Sequence, residues 1–256
     1  MRLLNKSIIV TGAGSGIGAG IATRFAAEGA RVIVNDINAK GGGETVAAIL
    51  QAGGTAVFQH ADVTQDEGWK ALVGAALREN SGLDAVVNNA GWSHLNRPFA
   101  EVNEADFDRC FNVNVKSIYW SAQHVLAQFR KQGHARGGNM VNIASTAGIR
   151  PRPGLTVYNA SKGAVVLMSK SMAAEFAPDN VRVNCVNPVF NPDTALSASF
   201  AGGEVNEERR ARFRATIPLG RFSTALDVAN ACLYLASDDA SFITGVCIEV
   251  DGGRCV

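Results

Sequence analysis

The sequence is short of the features that mark several whole classes of protein. No stretch approaches the roughly 18 consecutive apolar residues of a membrane-spanning helix, so no membrane span is expected. The opening MRLLNKSIIVTGAGSG lacks the apolar core and cleavage site of a secretory leader. Neither sign of charge is in excess. With 24 basic and 23 acidic residues the net charge is +1, which argues against nucleic acid or an anionic membrane as partner. The five cysteines, Cys110, Cys185, Cys232, Cys247 and Cys255, are odd in number and contain no Cys-x-x-Cys pair, so a reduced, cytoplasmic setting is expected. The four histidines, His60, His94, His124 and His134, show no ligand spacing, and no metal is expected. Repeats, low-complexity tracts and linkers are also missing, so residues 1–256 read as one domain.

What the sequence does have is alternation. β-branched or apolar runs at 7–12, 31–36, 55–63, 83–91, 138–145, 181–188 and 245–253 read as strands. Helical periodicity lies between them at 17–29, 43–54, 67–80, about 104–131 and about 158–176. Strand, helix, strand, helix predicts βαβ units, a parallel sheet and helices on both of its faces. One segment breaks this rhythm. Residues 189 to about 216 form a long mixed insertion directly after a strand's carboxyl end, where α/β sheets bind ligands, and it reads as a substrate lid.

TGAGSGIG, Thr11 to Gly18, joins the first strand to the first helix. Glycine there permits a tight turn and close approach of the backbone to a pyrophosphate, with the helix N-terminus facing the anion. Gly12, Gly16 and Gly18 carry the pattern, and Ser15 and Ile17 complete the loop. Asp36 ends the second strand 20 residues after Gly16, where a carboxylate accepts from the adenosine ribose and repels a 2′-phosphate. Ser15 brings no compensating positive charge, so NAD is expected over NADP. The plainer reading of Asp36 is a strand-end turn residue. Asp62 and Val63, and Asn89, Ala90 and Gly91, lie at the carboxyl ends of the third and fourth strands, along the same edge. Taken singly, each is an ordinary loop former.

Tyr158 and Lys162, in TVYNASK, are spaced to share one face of a helix. A lysine there favours the ionised phenol. Alone, this spacing describes one turn of many ordinary helices. It gains meaning from the motifs around it: TGAGSGIG, NNAG, Asn114 in FNVNVKS, Ser145 in NIASTAG, YNASK and a terminal VDGG.

Together, and in that order, these motifs resemble the short-chain dehydrogenase/reductase family over the whole chain. The resemblance implies a single-domain α/β Rossmann fold with a seven-stranded, mostly parallel, doubly wound sheet of order 3-2-1-4-5-6-7. It implies hydride transfer between NAD(H) and an alcohol or carbonyl substrate. In those roles Tyr158 is the general acid/base, with its pKa of ~10 lowered by Lys162 and by the nicotinamide's positive charge. Lys162 also holds the nicotinamide ribose. Ser145 hydrogen-bonds the substrate oxygen, and Asn114 holds a water that links Lys162 to solvent. Pro188 and Val189 replace the Pro-Gly that the family often has after the sixth strand. Val189 is expected to offer its N–H to the carboxamide, and Thr194 to contact the same group. A homotetramer is implied, with helices 104–131 and 158–176 and the last strand at the interfaces.

Within the family, KSIYWSAQ, ASTAGIRPRPGLTVY, RARFRATIPLGRF and SDDASFITGV resemble NAD-linked alcohol dehydrogenases near 4-(hydroxymethyl)benzenesulfonate dehydrogenase, and also 3-oxoacyl-ACP reductases. The expected substrate is a secondary or aromatic primary alcohol, or its carbonyl compound. The pocket candidates are Trp92, His94, Arg150, Arg152, Leu155, Phe190 and Phe200. Arg150 and Arg152 either clamp a sulfonate or carboxylate, or are solvated or bridge subunits. Trp92 and the phenylalanines either stack an aromatic substrate or belong to core or interface. Arg209, Arg210, Arg212 and Arg214 read as a solvated helix face. Two rivals stand beside this reading. A 3-oxoacyl-ACP reductase usually prefers NADPH, against Asp36 and Ser15, and needs a basic patch for its carrier. A non-catalytic NAD-binding sensor is expected to have lost Tyr158, Lys162 or Ser145, and all three are present.

Overall fold

The computed structural model describes residues 1–256. In chain order the elements are β1 (Ser7–Val10), α1 (Gly16–Ala27), β2 (Arg31–Asp36), α2 (Ala39–Gln51), β3 (Thr55–His60), α3 (Asp66–Asn80), β4 (Ala85–Asn88) and α4 (Glu104–Phe111). There follow α5 (Ser117–Gln132), β5 (Gly138–Ile143), α6 (Thr156–Phe176), β6 (Val181–Pro188), α7 (Ser197–Ala201), α8 (Glu207–Arg214), α9 (Ala225–Ala236) and β7 (Cys247–Val250). The strands form one sheet of order β3-β2-β1-β4-β5-β6-β7, and all six pairings are parallel. This is the order the motifs imply.

The sequence of β1, SIIV, and of β4, AVVN, shows no polar face, and every residue of both is buried. That is the signature of parallel strands covered on both sides. Successive side chains take opposite faces. Ile8 and Val10 therefore pack with Ile21 and Phe25 of α1 and Val228, Cys232 and Leu233 of α9. Ile9 packs with Trp69 and Leu72 of α3 and Phe129 of α5. The two clusters hold 24 buried residues each, so neither face of the sheet is left to solvent.

Three local features depart from the sequence reading. The helix expected over 104–131 is continuous but widens into a π-type turn at Asn112–Lys116. The side chain of Asn114 in that turn is held on both backbone groups of Trp92, accepting from its N–H at 2.8 Å and donating to its carbonyl at 2.9 Å. Such turns inside α-helices mark functional positions often. Second, α9 was not expected. Its N-terminus is fixed by a capping box in which Thr224 and Asp227 hold each other's backbone N–H groups. Third, the 189–216 insertion contains, besides the helix expected around its arginines (α8), a second short helix, α7. Its aromatic side chains gather on Val189, Phe190 and Ile217. No helix is long and apolar enough to cross a membrane.

Candidate active site

The carboxyl edge of the sheet opens into a cavity of about 310 Å³. Every residue expected to touch the cofactor lines it: Gly12, Ser15, Gly16, Ile17, Gly18, Asp36, Asp62, Val63, Asn89, Ala90, Gly91, Tyr158, Lys162, Pro188, Val189 and Thr194. Ser145, Arg152, Leu155, Phe190 and Phe200 line the same space.

The glycine loop is built so that nothing fills its cradle. A Cβ on Gly18 would lie 2.2 Å from the Gly12 carbonyl oxygen, and Gly12 itself has φ +62°. Both positions exclude other residues. Ser15 precedes α1 without making a side-chain cap, and the first turn carries no acidic residue. The helix N–H groups there meet no anion from the protein, which suits a pyrophosphate. Asn89 clamps the loop from the next strand over, donating to the carbonyls of Thr11 and Gly12 at 2.8 and 3.0 Å. The Asp36 carboxylate accepts from the N–H groups of Gly14 and Asn38, each at 2.8 Å. Asp62 accepts from both the N–H and the hydroxyl of Thr64. The residues present thus fit a dinucleotide with an acidic group at its ribose end.

At the other end, α6 delivers Tyr158 and Lys162 on one face. Tyr158 is 4% exposed, and the Lys162 ammonium nitrogen lies 5.9 Å from the centre of its ring. The Lys162 amine donates to the Ile143 carbonyl at 2.8 Å. Burial lowers the Lys162 pKa from 10.5 to about 8. Burial also raises the Tyr158 pKa, opposed by hydrogen bonding to Ser145 and by the positive charge of Arg152. This corrects the expectation from spacing alone. In the protein by itself desolvation outweighs the neighbouring charges, and the phenol moves up rather than down. Ser145 follows β5, and its Oγ accepts from the Ala147 N–H at 3.1 Å. Asn114 lies behind these groups and donates to Ser161 Oγ at 2.9 Å. A Cβ placed on Gly91 would be 3.4 Å from Asn114 Oδ1 and 3.6 Å from Lys162 Nζ, so the two side chains converge over that glycine.

Several expected positions need correction. The Val189 N–H is already engaged, donating to Val250 O at 3.2 Å across the last strand pair, so Val189 lines the cavity without a free donor. Thr194 lies over the glycine loop, and its hydroxyl donates to Asn191 O at 3.1 Å. Trp92, His94 and Arg150 are not in the cavity wall. Trp92 lies beneath the Arg109 guanidinium at 4.6 Å. His94 is buried, with Nδ1 donating to the Leu95 carbonyl at 2.8 Å. Arg150 is exposed and donates to the Arg254 carbonyl. Arg152, two residues on, turns inward. Two residues outside the expected site bear on it. Gly14 holds the Asp36 carboxylate through its N–H, and Phe213 of α8 packs under Arg152, 4.7 Å from ring centre to guanidinium carbon. Phe213 had one signal in the sequence: it is the lone aromatic in EERRARFR.

A doubly wound parallel sheet with a glycine loop, an acidic strand end and a Ser–Tyr–Lys cluster along one edge defines a dinucleotide-binding α/β oxidoreductase. Residues 12–254 match a family model described as Enoyl-(Acyl carrier protein) reductase, and the chain belongs to the short-chain dehydrogenase/reductase family. It is 50% identical over 252 residues to a 4-formylbenzenesulfonate dehydrogenase of Comamonas testosteroni, with 98% of each chain covered. It is 39% identical over 254 residues to a cyclopentanol dehydrogenase of the same species, again with 98% of each chain covered. The structure of a 3-ketoacyl-(acyl-carrier-protein) reductase from Brucella melitensis complexed with NADH superposes with a TM-score of 0.92 at 38% identity, covering 99% of this chain and 100% of that one. The protein is an oxidoreductase acting on alcohols or carbonyl compounds.

Proposed function

We propose that the protein interconverts a secondary or aromatic primary alcohol and its carbonyl compound, with NAD(H) preferred over NADP(H) and Tyr158 as the acid/base. One observation carries this reading: Ser145, Tyr158 and Lys162 share a single cavity with the Gly12–Gly18 loop and Asp36. When bound, the nicotinamide supplies or accepts the hydride. The chain's own residues manage the proton and the charge. In reduction the Tyr158 hydroxyl gives its proton to the substrate oxygen, and in oxidation the phenolate takes it back. The Ser145 hydroxyl donates to the same oxygen as charge develops on it. A cationic Lys162 favours the phenolate, and Asn114, converging with it over Gly91, is the residue to hold a water that links Lys162 to solvent. The insertion serves as the lid: Phe200 packs 5.0 Å from Tyr158, ring centre to ring centre, and excludes water from the reacting atoms.

The preference for NAD rests on Asp36, whose carboxylate would repel a 2′-phosphate, with Ile37 and Asn38 following it rather than a basic residue. The substrate class draws on the relatives' names, an aromatic aldehyde in one and a cyclic secondary alcohol in the other. A homotetramer accords with large apolar side chains left exposed on the helices expected at interfaces: Phe107, Tyr119 and Leu167. The five free cysteines suit a reduced compartment.

The acyl-carrier alternative has less support. Three of the four lid arginines are paired with acids, Arg210 with Asp193, Arg212 with Glu208 and Arg214 with Glu207. Little net positive charge remains there for an acidic carrier. The test is fluorescence titration with NADH and NADPH, then turnover of ring-bearing alcohols and of acyl thioesters. Tight NADH binding with alcohol oxidation is expected. NADPH preference with thioester reduction would replace this reading with the acyl-reductase one.

A further inference from the structure

Arg152 is the one charged side chain in the catalytic half of the cavity that the proposed reaction leaves unused. It comes from the proline-containing loop before α6. Phe190 and Phe213 of the lid stack on each other at 4.3 Å, and the Arg152 guanidinium lies against that pair, its central carbon 4.7 Å from the Phe213 ring centre and 5.7 Å from that of Phe190. Most arginines with folded-state partners in this protein reach an aspartate or glutamate. Arg152 reaches none, and the charge that acts on it most strongly is a second cation, Arg254. Burial first, and then Arg254, lowers its pKa to about 10, so it remains protonated at neutral pH.

A desolvated guanidinium with no anion is costly to keep. The carboxylates that line the cavity, Asp36 and Asp62, stand at the far, ribose end. No hydrogen bond or ion pair engages the guanidinium, so its fork of N–H donors is free to meet the oxygens of a carboxylate or sulfonate. Between that edge and Tyr158 the wall is apolar: Phe190 and Phe200 are 6.3 Å apart, Phe200 and Tyr158 are 5.0 Å apart, and Leu155 lies alongside. The cavity therefore offers a cation, an apolar spacer and an acid/base in sequence.

We propose that Arg152 is the anion anchor of the substrate site, and that the substrate is a ring-bearing alcohol or carbonyl compound carrying a carboxylate or sulfonate. The oxyanion is held by Arg152, the ring lies against Phe190 and Phe200, and the reacting carbon is presented to Tyr158. This deepens the function proposed above and rests on Tyr158 being the acid/base. Arg150, outside the cavity, has no part in it.

The test compares kcat/KM for three benzyl alcohols that differ only at the para position: methyl, carboxylate and sulfonate. The wild-type enzyme is expected to prefer the anionic pair over the neutral alcohol by on the order of 10- to 100-fold, mostly through KM. The relative rates of carboxylate and sulfonate then tell which oxyanion fits. In Arg152→Leu the anionic-to-neutral ratio should collapse toward unity, and Arg152→Lys, which keeps the charge but not the fork, should recover part of it. Arg150→Gln should keep the wild-type ratio. Equal use of neutral and anionic alcohols by the wild type would overturn the anchor while leaving the alcohol dehydrogenase reading intact. So would an unchanged ratio in Arg152→Leu, or a ratio that follows Arg150. If no alcohol is oxidised although NADH binds, the parent reading fails and the anchor with it.

Discussion

The Asp36 carboxylate and the Gly14 N–H are joined by a 2.8 Å hydrogen bond, so the residue proposed to select the ribose is tied directly to the glycine loop. The two ends of the adenosine-diphosphate site are thereby coupled. Substituting Asp36 removes an acceptor from the ribose and a tether from the loop together.

Asp36→Ser should therefore weaken NADH binding by about 10- to 100-fold, within the range for a hydrogen bond to a charged group. NADPH binding should improve, because the charge opposing a 2′-phosphate is gone. Titration of both cofactors measures the ratio. An Asp36→Ser protein that still discriminates against NADPH as the wild type does would place cofactor selection elsewhere.

Gly18→Ala should abolish dinucleotide binding. The added Cβ would lie 2.2 Å from the Gly12 carbonyl oxygen, closer than any real contact. The loop must shift to relieve it, and the N–H groups of α1 lose their alignment on the pyrophosphate. NADH fluorescence titration checks this, with circular dichroism to verify that the fold survives. Unaltered affinity would mean that the pyrophosphate does not depend on this loop.

Lys162 is held in the fold at a cost in stability. Its pKa falls from 10.5 to about 8 on burial. Below pH 8 it is protonated whether folded or unfolded, and the folded state carries the full penalty, on the order of 3 kcal/mol. Between pH 8 and 10.5 the folded protein releases the proton first, and the penalty disappears as pH rises. Lys162→Met should be inactive yet more stable than the wild type at pH 7, less about 1 kcal/mol for the lost bond to the Ile143 carbonyl. The gain should shrink toward pH 10. Denaturant unfolding at the two pH values measures it, and a difference that ignores pH would contradict the buried-cation account.

Much of this was legible in the sequence because it depends on local pattern. β-branched runs ending in glycine gave the strands, and alternation with helices gave a parallel sheet. The i, i+4 spacing of Tyr158 and Lys162 placed them on one face, and strand-end positions put Asp36, Asn89 and Ser145 along one edge. What was not legible depends on long-range packing. The Val189 N–H looked free until β7 was seen to claim it through Val250. Arg150 and Arg152 look alike in IRPRPG, and only the packing of α8 turns Arg152 inward over Phe213. The upward shift of Tyr158 follows from how deeply α6 is buried, which spacing alone does not report. α9 follows the irregular insertion rather than a strand, and its local signal is the Thr224–Asp227 cap.

The most direct test of the central claim is turnover by Tyr158→Phe with NAD and an alcohol that the wild type oxidises, alongside NADH titration. The substitution removes one hydroxyl and keeps the ring against Phe200. The account predicts NADH binding within a few-fold of wild type and a loss of at least about 100-fold in kcat, as expected when a positioned acid/base is removed. Turnover near the wild-type rate would contradict it, and the proton would have to move through another group.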